Sequence, residues 1–205
     1  MNRRSIMIAA ALLITAGVST AQAQVPTPSV SIGVLAGANF ANFSGSDANG
    51  ASSRTGIVGG LSVDFTLANN FGLEIDGLYS QQGAKSTFDG GEATLKLDYV
   101  QIPVLARINF PTHSPVRPFI TVGPSVGFRV KCEASSGGNT VSCENLVGQN
   151  AKSVDVSGVV GAGLGFKMGK QELSIGARYN MGFTKVFDGS NAKNKVISVL
   201  AGLSF

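Results

Sequence analysis

From Val30 to the C-terminus, apolar and polar residues alternate with a period of two, and no stretch sustains a 3.6-residue apolar stripe. Such a chain can fold only into strands. The clearest case is the last segment, Lys195 to Phe205. There Ile197, Val199, Ala201, Leu203 and Phe205 share one face, and Val196, Ser198, Leu200, Gly202 and Ser204 share the other.

The alternation predicts eight strands, at Val30–Phe43, Arg54–Leu67, Phe71–Gln82, Leu95–Phe110, Pro118–Val130, Ser153–Met168, Gln171–Lys185 and the C-terminal segment. The fourth shifts its apolar phase near Val100, which predicts a bulge, and Pro103 is expected to mark the same irregularity. Connections alternate in length. Segments 44–53, 84–94, 131–152 and 186–194 are long and polar, whereas 68–70, 111–117 and 169–170 are short. Bacterial outer-membrane barrels have an even strand count, short periplasmic turns and long external loops, which would put both chain ends in the periplasm.

A soluble sandwich would turn polar residues outward. Here the continuous face is apolar over about ten residues per strand, and the other face carries Gly, Ser and charged side chains. A lipocalin also has eight strands but usually carries Gly-x-Trp near the first, and this chain has no tryptophan. The expected fold class is therefore all-β, an eight-stranded antiparallel up-and-down transmembrane β-barrel in the bacterial outer membrane.

Composition agrees. Charged residues make up 14% of the chain, against about a quarter in soluble domains, and there are 27 glycines. Arg3 and Arg4, an apolar run through Val18 and the small-x-small site Ala21-Gln22-Ala23 read as a cleaved signal peptide over residues 1–23. The apolar run is too short to span a bilayer, which takes roughly 20 residues. Residues 24–205 form one barrel domain. The basic residues are scattered, so nucleic-acid binding has no support. Cys132 and Cys143 share one polar loop of an exported chain and are expected to form a disulfide that staples it.

Four segments resemble the small porin-family outer-membrane β-barrel proteins. They are Gly33-Val-Leu-Ala-Gly-Ala-Asn-Phe40, Tyr99-Val-Gln-Ile-Pro103, Pro118-Phe-Ile-Thr-Val-Gly-Pro124 and Gly161-Ala-Gly-Leu-Gly165. The resemblance implies an eight-stranded barrel surrounded by outer-membrane lipid and inserted by the β-barrel assembly machinery, with the terminal Phe205 as the assembly signal. It implies no catalytic site and no pore.

An eight-stranded barrel is just wide enough to be filled by its own side chains. Inward positions on the fifth and sixth strands are small: Thr121, Gly123, Ser125, Gly127, Ser157, Gly161, Gly163 and Gly165. Elsewhere the inward set includes Asp64, Glu74, Asp76, Arg107 and Arg178, with Lys167 nearby. The charged side chains are expected to reach into the space the glycines leave open. Asp64 and Glu74 fall nearly opposite each other and need counterions, for which Arg107 and Arg178 are the candidates. Arg129 is expected to pair with Asp155 near the outer mouth. The plain reading is a network that packs the lumen; the sharper one is a path for ions or solutes.

Catalysis has little support. Acyl chemistry would need a Ser–His pair or a comparable nucleophile and base, and the only histidine, His113, falls in the Pro111–Pro118 turn on the predicted periplasmic side, where it reads as a turn residue. The carboxylates are better read as structural. No metal-ligand cluster or phosphate loop is present, and no cofactor is implied. Two function classes remain: a structural or surface-interaction barrel whose long loops meet surface ligands, and a passive channel or small-solute transporter.

Overall fold

The structure is a computed structural model and describes residues 29–46, 51–88, 91–137, 139–143, 152–186 and 191–205. The signal segment read at residues 1–23 lies outside the described residues. Nine strands are present among them: β1 Ser29–Ser44, β2 Ala51–Thr66, β3 Phe71–Phe88, β4 Gly91–Asn109, β5 Val116–Ser136, β6 Asn139–Ser142, β7 Val154–Met168, β8 Gln171–Lys185 and β9 Lys193–Ser204. All but β6 form a closed ring. Each is antiparallel to its neighbours, β4 pairs with β5, and β1 pairs with β9 across the seam. Phe205 completes that seam by exchanging backbone hydrogen bonds with Ile32.

The alternation places side chains as the sequence predicts. Val34, Leu61, Ile102, Val122, Val160, Ile175 and Ile197 are all exposed on the outer wall. In a barrel that exposure faces lipid, so these residues stabilise the inserted state rather than threaten aggregation. Phe71, Phe110 and Phe205 ring the end that carries the short turns, and Phe40, Tyr79, Phe128 and Phe183 ring the other. By the turn-length rule the first ring marks the periplasmic boundary and the second the outer one. On β1, Ile32 to Phe40 spans about 27 Å of strand, or about 21 Å of height at the usual tilt, close to the apolar thickness of an outer membrane.

Three sequence expectations change. The segment expected as a loop at 84–94 continues as strand: β3 runs to Phe88 and β4 starts at Gly91, so this hairpin stands well above the membrane. The loop expected at 131–152 is likewise part strand, because β5 runs to Ser136 and folds back on β6. Above the membrane no lipid rewards an apolar face, so polar sequence pairs as strand without showing the alternation.

The third change concerns β4, which keeps one register with β3 through this stretch. Leu97 and Tyr99 are buried inside the barrel above Gln101, so the apolar phase change marks an apolar upper lumen. The register slip sits beside them but on β5: Asp98 pairs with Lys131 and Tyr99 with Arg129, leaving Val130 as the extra residue. Pro103 is a separate matter. Pairing with β3 lapses between Gln101 and Val104 and resumes in the same register, as a residue with no N–H requires.

Candidate functional site

The lumen is layered. At its periplasmic end lies an ion network built by four strands. Asp64 on β2 and Glu74 on β3 are direct cross-strand partners, so two carboxylates share one patch of wall. Arg107 enters from β4, with Nη1 at 3.4 Å from Glu74 Oε2 and 3.7 Å from Asp64 Oδ1. Its Nη2 crosses to β8 and meets Glu172 Oε1 at 2.7 Å. Arg178, also on β8, spans the full width of the barrel to β3. There Nη1 lies 2.6 Å from Asp76 Oδ2, and Nη2 bonds Glu74. Glu74 and Asp76 are both 2% exposed.

Five of the six residues expected to share this network do so: Asp64, Glu74, Asp76, Arg107 and Arg178. Lys167 does not. It is exposed at the barrel mouth, and no ion pair among the described residues includes it. Sequence reading missed two members. Glu172 falls on the same face as Arg178 by period two, and extending that face by six residues would have found it. Phe119 shares the inward parity of Thr121, and its ring lies 4.0 Å beneath the Arg107 guanidinium, a cation–π contact.

The glycines of β7 make room for these side chains. A Cβ on Gly161 would stand 2.9 Å from Arg178 Cγ, one on Gly163 would stand 2.4 Å from Phe119 Cζ, and one on Gly165 would stand 2.7 Å from Glu172 Oε1. The small wall is thus where the large side chains of β5 and β8 lie down before reaching across.

Above the network Val58, Leu78 and Leu200 meet in an apolar septum, with Leu35 packed against it. Free space is small at both levels. About 20 Å³ remains beside Ser62, Arg107 and Thr121, and about 10 Å³ between Leu78, Gln101 and Ser125, each room for about one water. Below the network a vestibule of about 530 Å³ opens at the periplasmic end, lined in part by Asn109, Arg117, Lys167, Lys170 and Glu172.

Higher still, Asn39 gathers β3 and β9. Its Nδ2 donates to Ser80 Oγ at 2.9 Å, and its Oδ1 accepts from Ser198 Oγ at 2.7 Å. The outer mouth departs from expectation. Asp155 Oδ2 accepts a hydrogen bond from Asn194 Nδ2 at 2.9 Å, while Arg129 Nε donates to the Lys152 carbonyl at 3.1 Å. The expected Arg129–Asp155 pair is therefore replaced. Arg129 sits beside the β5 bulge, which turns it toward the loop, and β9 supplies a neutral partner in its place. The lumen ends in an apolar cap of Leu97, Tyr99 and Val186 around Cys132 and Cys143, which are bonded as expected.

Arg107→Ala should lower unfolding stability by about 1–2 kcal/mol, because Glu74 keeps Arg178 while Asp64 and Glu172 still reach water in the vestibule. Urea unfolding in detergent micelles reads it, and an unchanged midpoint would show that Arg107 bears no share of the network.

A family model described as outer membrane protein beta-barrel domain matches residues 21–188. Comparison with curated proteins finds no match. Among solved structures the chain is similar to Neisserial surface protein A (NspA), at 20% identity and a TM-score of 0.53, covering 84% of this chain and 95% of that one. It is also similar to Ail, the attachment invasion locus protein of Yersinia pestis (20% identity, TM-score 0.42, 85% and 98% covered). A third similar structure is the outer membrane enzyme PagL (16% identity, TM-score 0.40, 84% and 97% covered). The likeness to NspA is one of fold.

Proposed function

This chain belongs to the outer membrane protein beta-barrel domain family and resides in the bacterial outer membrane, and on that premise we propose that it is a closed barrel acting as a structural or surface-interaction protein. The observation that carries this reading is the double closure of the lumen. Arg178 bridges opposite walls to Glu74 and Asp76, and the Val58–Leu78–Leu200 septum lies directly above. An ion would have to break the first and dehydrate to pass the second.

Interaction is then left to the outer end. The β3–β4 hairpin stands clear of the membrane, and the β5–β6 hairpin is pinned by the disulfide. Beside that disulfide a surface recess of about 370 Å³ is lined by Arg129, Lys131, Glu133 and Thr140, a polar site suited to a surface ligand. Catalysis is not part of the proposal: the only histidine, His113, is exposed in the periplasmic turn, where the neighbouring Thr112 and Ser114 hydroxyls bond turn backbone. Insertion by the β-barrel assembly machinery is read from Phe205, whose ring stands exposed at the periplasmic end of the β1–β9 seam.

The test is single-channel conductance in planar bilayers, with folding verified by heat-modifiable migration. The barrel is expected to be silent, and the Glu74→Ala, Asp76→Ala variant to be silent as well, since the septum remains. A steady conductance in the parent that this variant alters would replace the proposal with the channel reading. That reading draws its support from the open vestibule and from the four carboxylates set against two guanidiniums.

A further inference from the structure

Just above the outer aromatic ring, β8 and β9 carry three lysines on the lipid-facing side of the wall. Lys195 lies opposite Met181 on β8 and Asn42 on β1. One step further from the membrane centre, Lys193 lies opposite Lys185 and Ser44. Lys185 and Lys195 are exposed and Lys193 is half-buried. None of the three belongs to an ion pair among the described residues. Lys131 on β5 is the contrast, with Glu133 Oε1 at 3.0 Å.

Like charges set directly opposite on a sheet repel, so the Lys185–Lys193 pair favours an anion beside it. Its height on the wall says which. Along β8 the outward residues Leu173, Ile175, Ala177, Tyr179, Met181 and Phe183 climb about 34 Å of strand, or about 26 Å at the usual tilt, the full height of the apolar band. The lysines begin where that band ends. Long cationic side chains at such a boundary extend their amines to headgroup level. At the periplasmic rim the outer wall carries Phe71, Phe110, Met168, Leu173 and Phe205, and the cations there, Arg117, Lys167 and Lys170, line the vestibule.

We propose that Lys185, Lys193 and Lys195 form a docking surface for the phosphate groups of the glycolipid in the outer leaflet. Three amines on two adjacent strands, within one step of each other along the wall and carried by long flexible stems, match a lipid that presents phosphates near a single plane. This surface lies on the outer wall, apart from the lumen and from the disulfide-pinned hairpin, and does not depend on the lumen being closed.

The test uses the whole barrel refolded in phosphatidylcholine nanodiscs and titrated with bisphosphorylated lipid A or its dephosphorylated form, with retained lipid counted by native mass spectrometry. The barrel is expected to retain the phosphorylated lipid preferentially. Each Lys→Gln change at 185, 193 or 195 should weaken retention about fivefold, Lys→Arg should preserve it, and Lys131→Gln should leave it unchanged. Equal retention of both lipids by the parent barrel would overturn the proposal. So would unaltered retention by the triple glutamine variant. Should the triple variant fail to fold, the parent comparison and the single Lys195→Gln variant decide the question alone.

Discussion

Replacing Arg178 with alanine is expected to destabilise the barrel by about 3–5 kcal/mol, the largest loss of any single charged residue in the lumen. The size follows from what is left behind. Glu74 and Asp76 are both 2% exposed, and Asp76 has no other cation within ion-pair distance among the described residues. Removing one member of a buried pair leaves a charge that can neither reach water nor find a partner. The pair itself adds little net stability, because taking both partners out of water costs nearly what their attraction returns. Hence the triple variant Arg178→Met, Glu74→Gln, Asp76→Asn should recover to within about 1 kcal/mol of the parent. Urea unfolding of both variants checks this. A mild effect from Arg178→Ala would mean that water reaches Asp76 and that the lumen is less closed than the geometry indicates.

Gly163→Val is expected to prevent folding or to cost about 3 kcal/mol, at the upper end of the range for overpacking. A Cβ there would stand 2.4 Å from Phe119 Cζ and 2.6 Å from the Ile175 carbonyl oxygen. The carbonyl is part of the barrel wall and cannot yield. The ring could move only by leaving the Arg107 guanidinium, so the clash would propagate into the ion network. Gly163→Ala combined with Phe119→Leu should recover part of the loss, since it relieves the ring contact but not the carbonyl. Gly77→Ala is the control. Nothing lies within 4 Å of its Cβ position, and adding a side chain to an exposed strand glycine should be neutral or stabilise by about 0.5 kcal/mol. Folding yield by heat-modifiable migration separates these outcomes, and equal yields for the two valine and alanine changes would show that the glycine wall is not needed for packing.

Much of this site was legible before the fold. Glu74, Asp76, Arg107 and Arg178 fall on inward positions by parity, and Asp64 faces Glu74 across a turn short enough to set the register. Reading failed where parity and proximity parted. Lys167 has the inward parity but sits at the mouth, where water is available and no partner is needed. Arg129 and Asp155 come from paired strands, yet the extra residue Val130 turns the arginine toward the loop, and Asn194 takes its place. The β3–β4 hairpin was hidden for another reason: above the membrane, polar residues pair as strands without any apolar face to announce them.

By itself the sequence determined the membrane-spanning part of the strands, the side of each that meets lipid, and most of the charges that point inward. All three are set by the period-two geometry of a strand and need only a few neighbouring residues. Only the tertiary structure decided which charges meet. Arg178 and Glu74 are 104 residues apart, and they touch because ring closure sets β8 against β3. The height at which they face each other depends on tilt and stagger accumulated around all eight strands, a property no local segment contains.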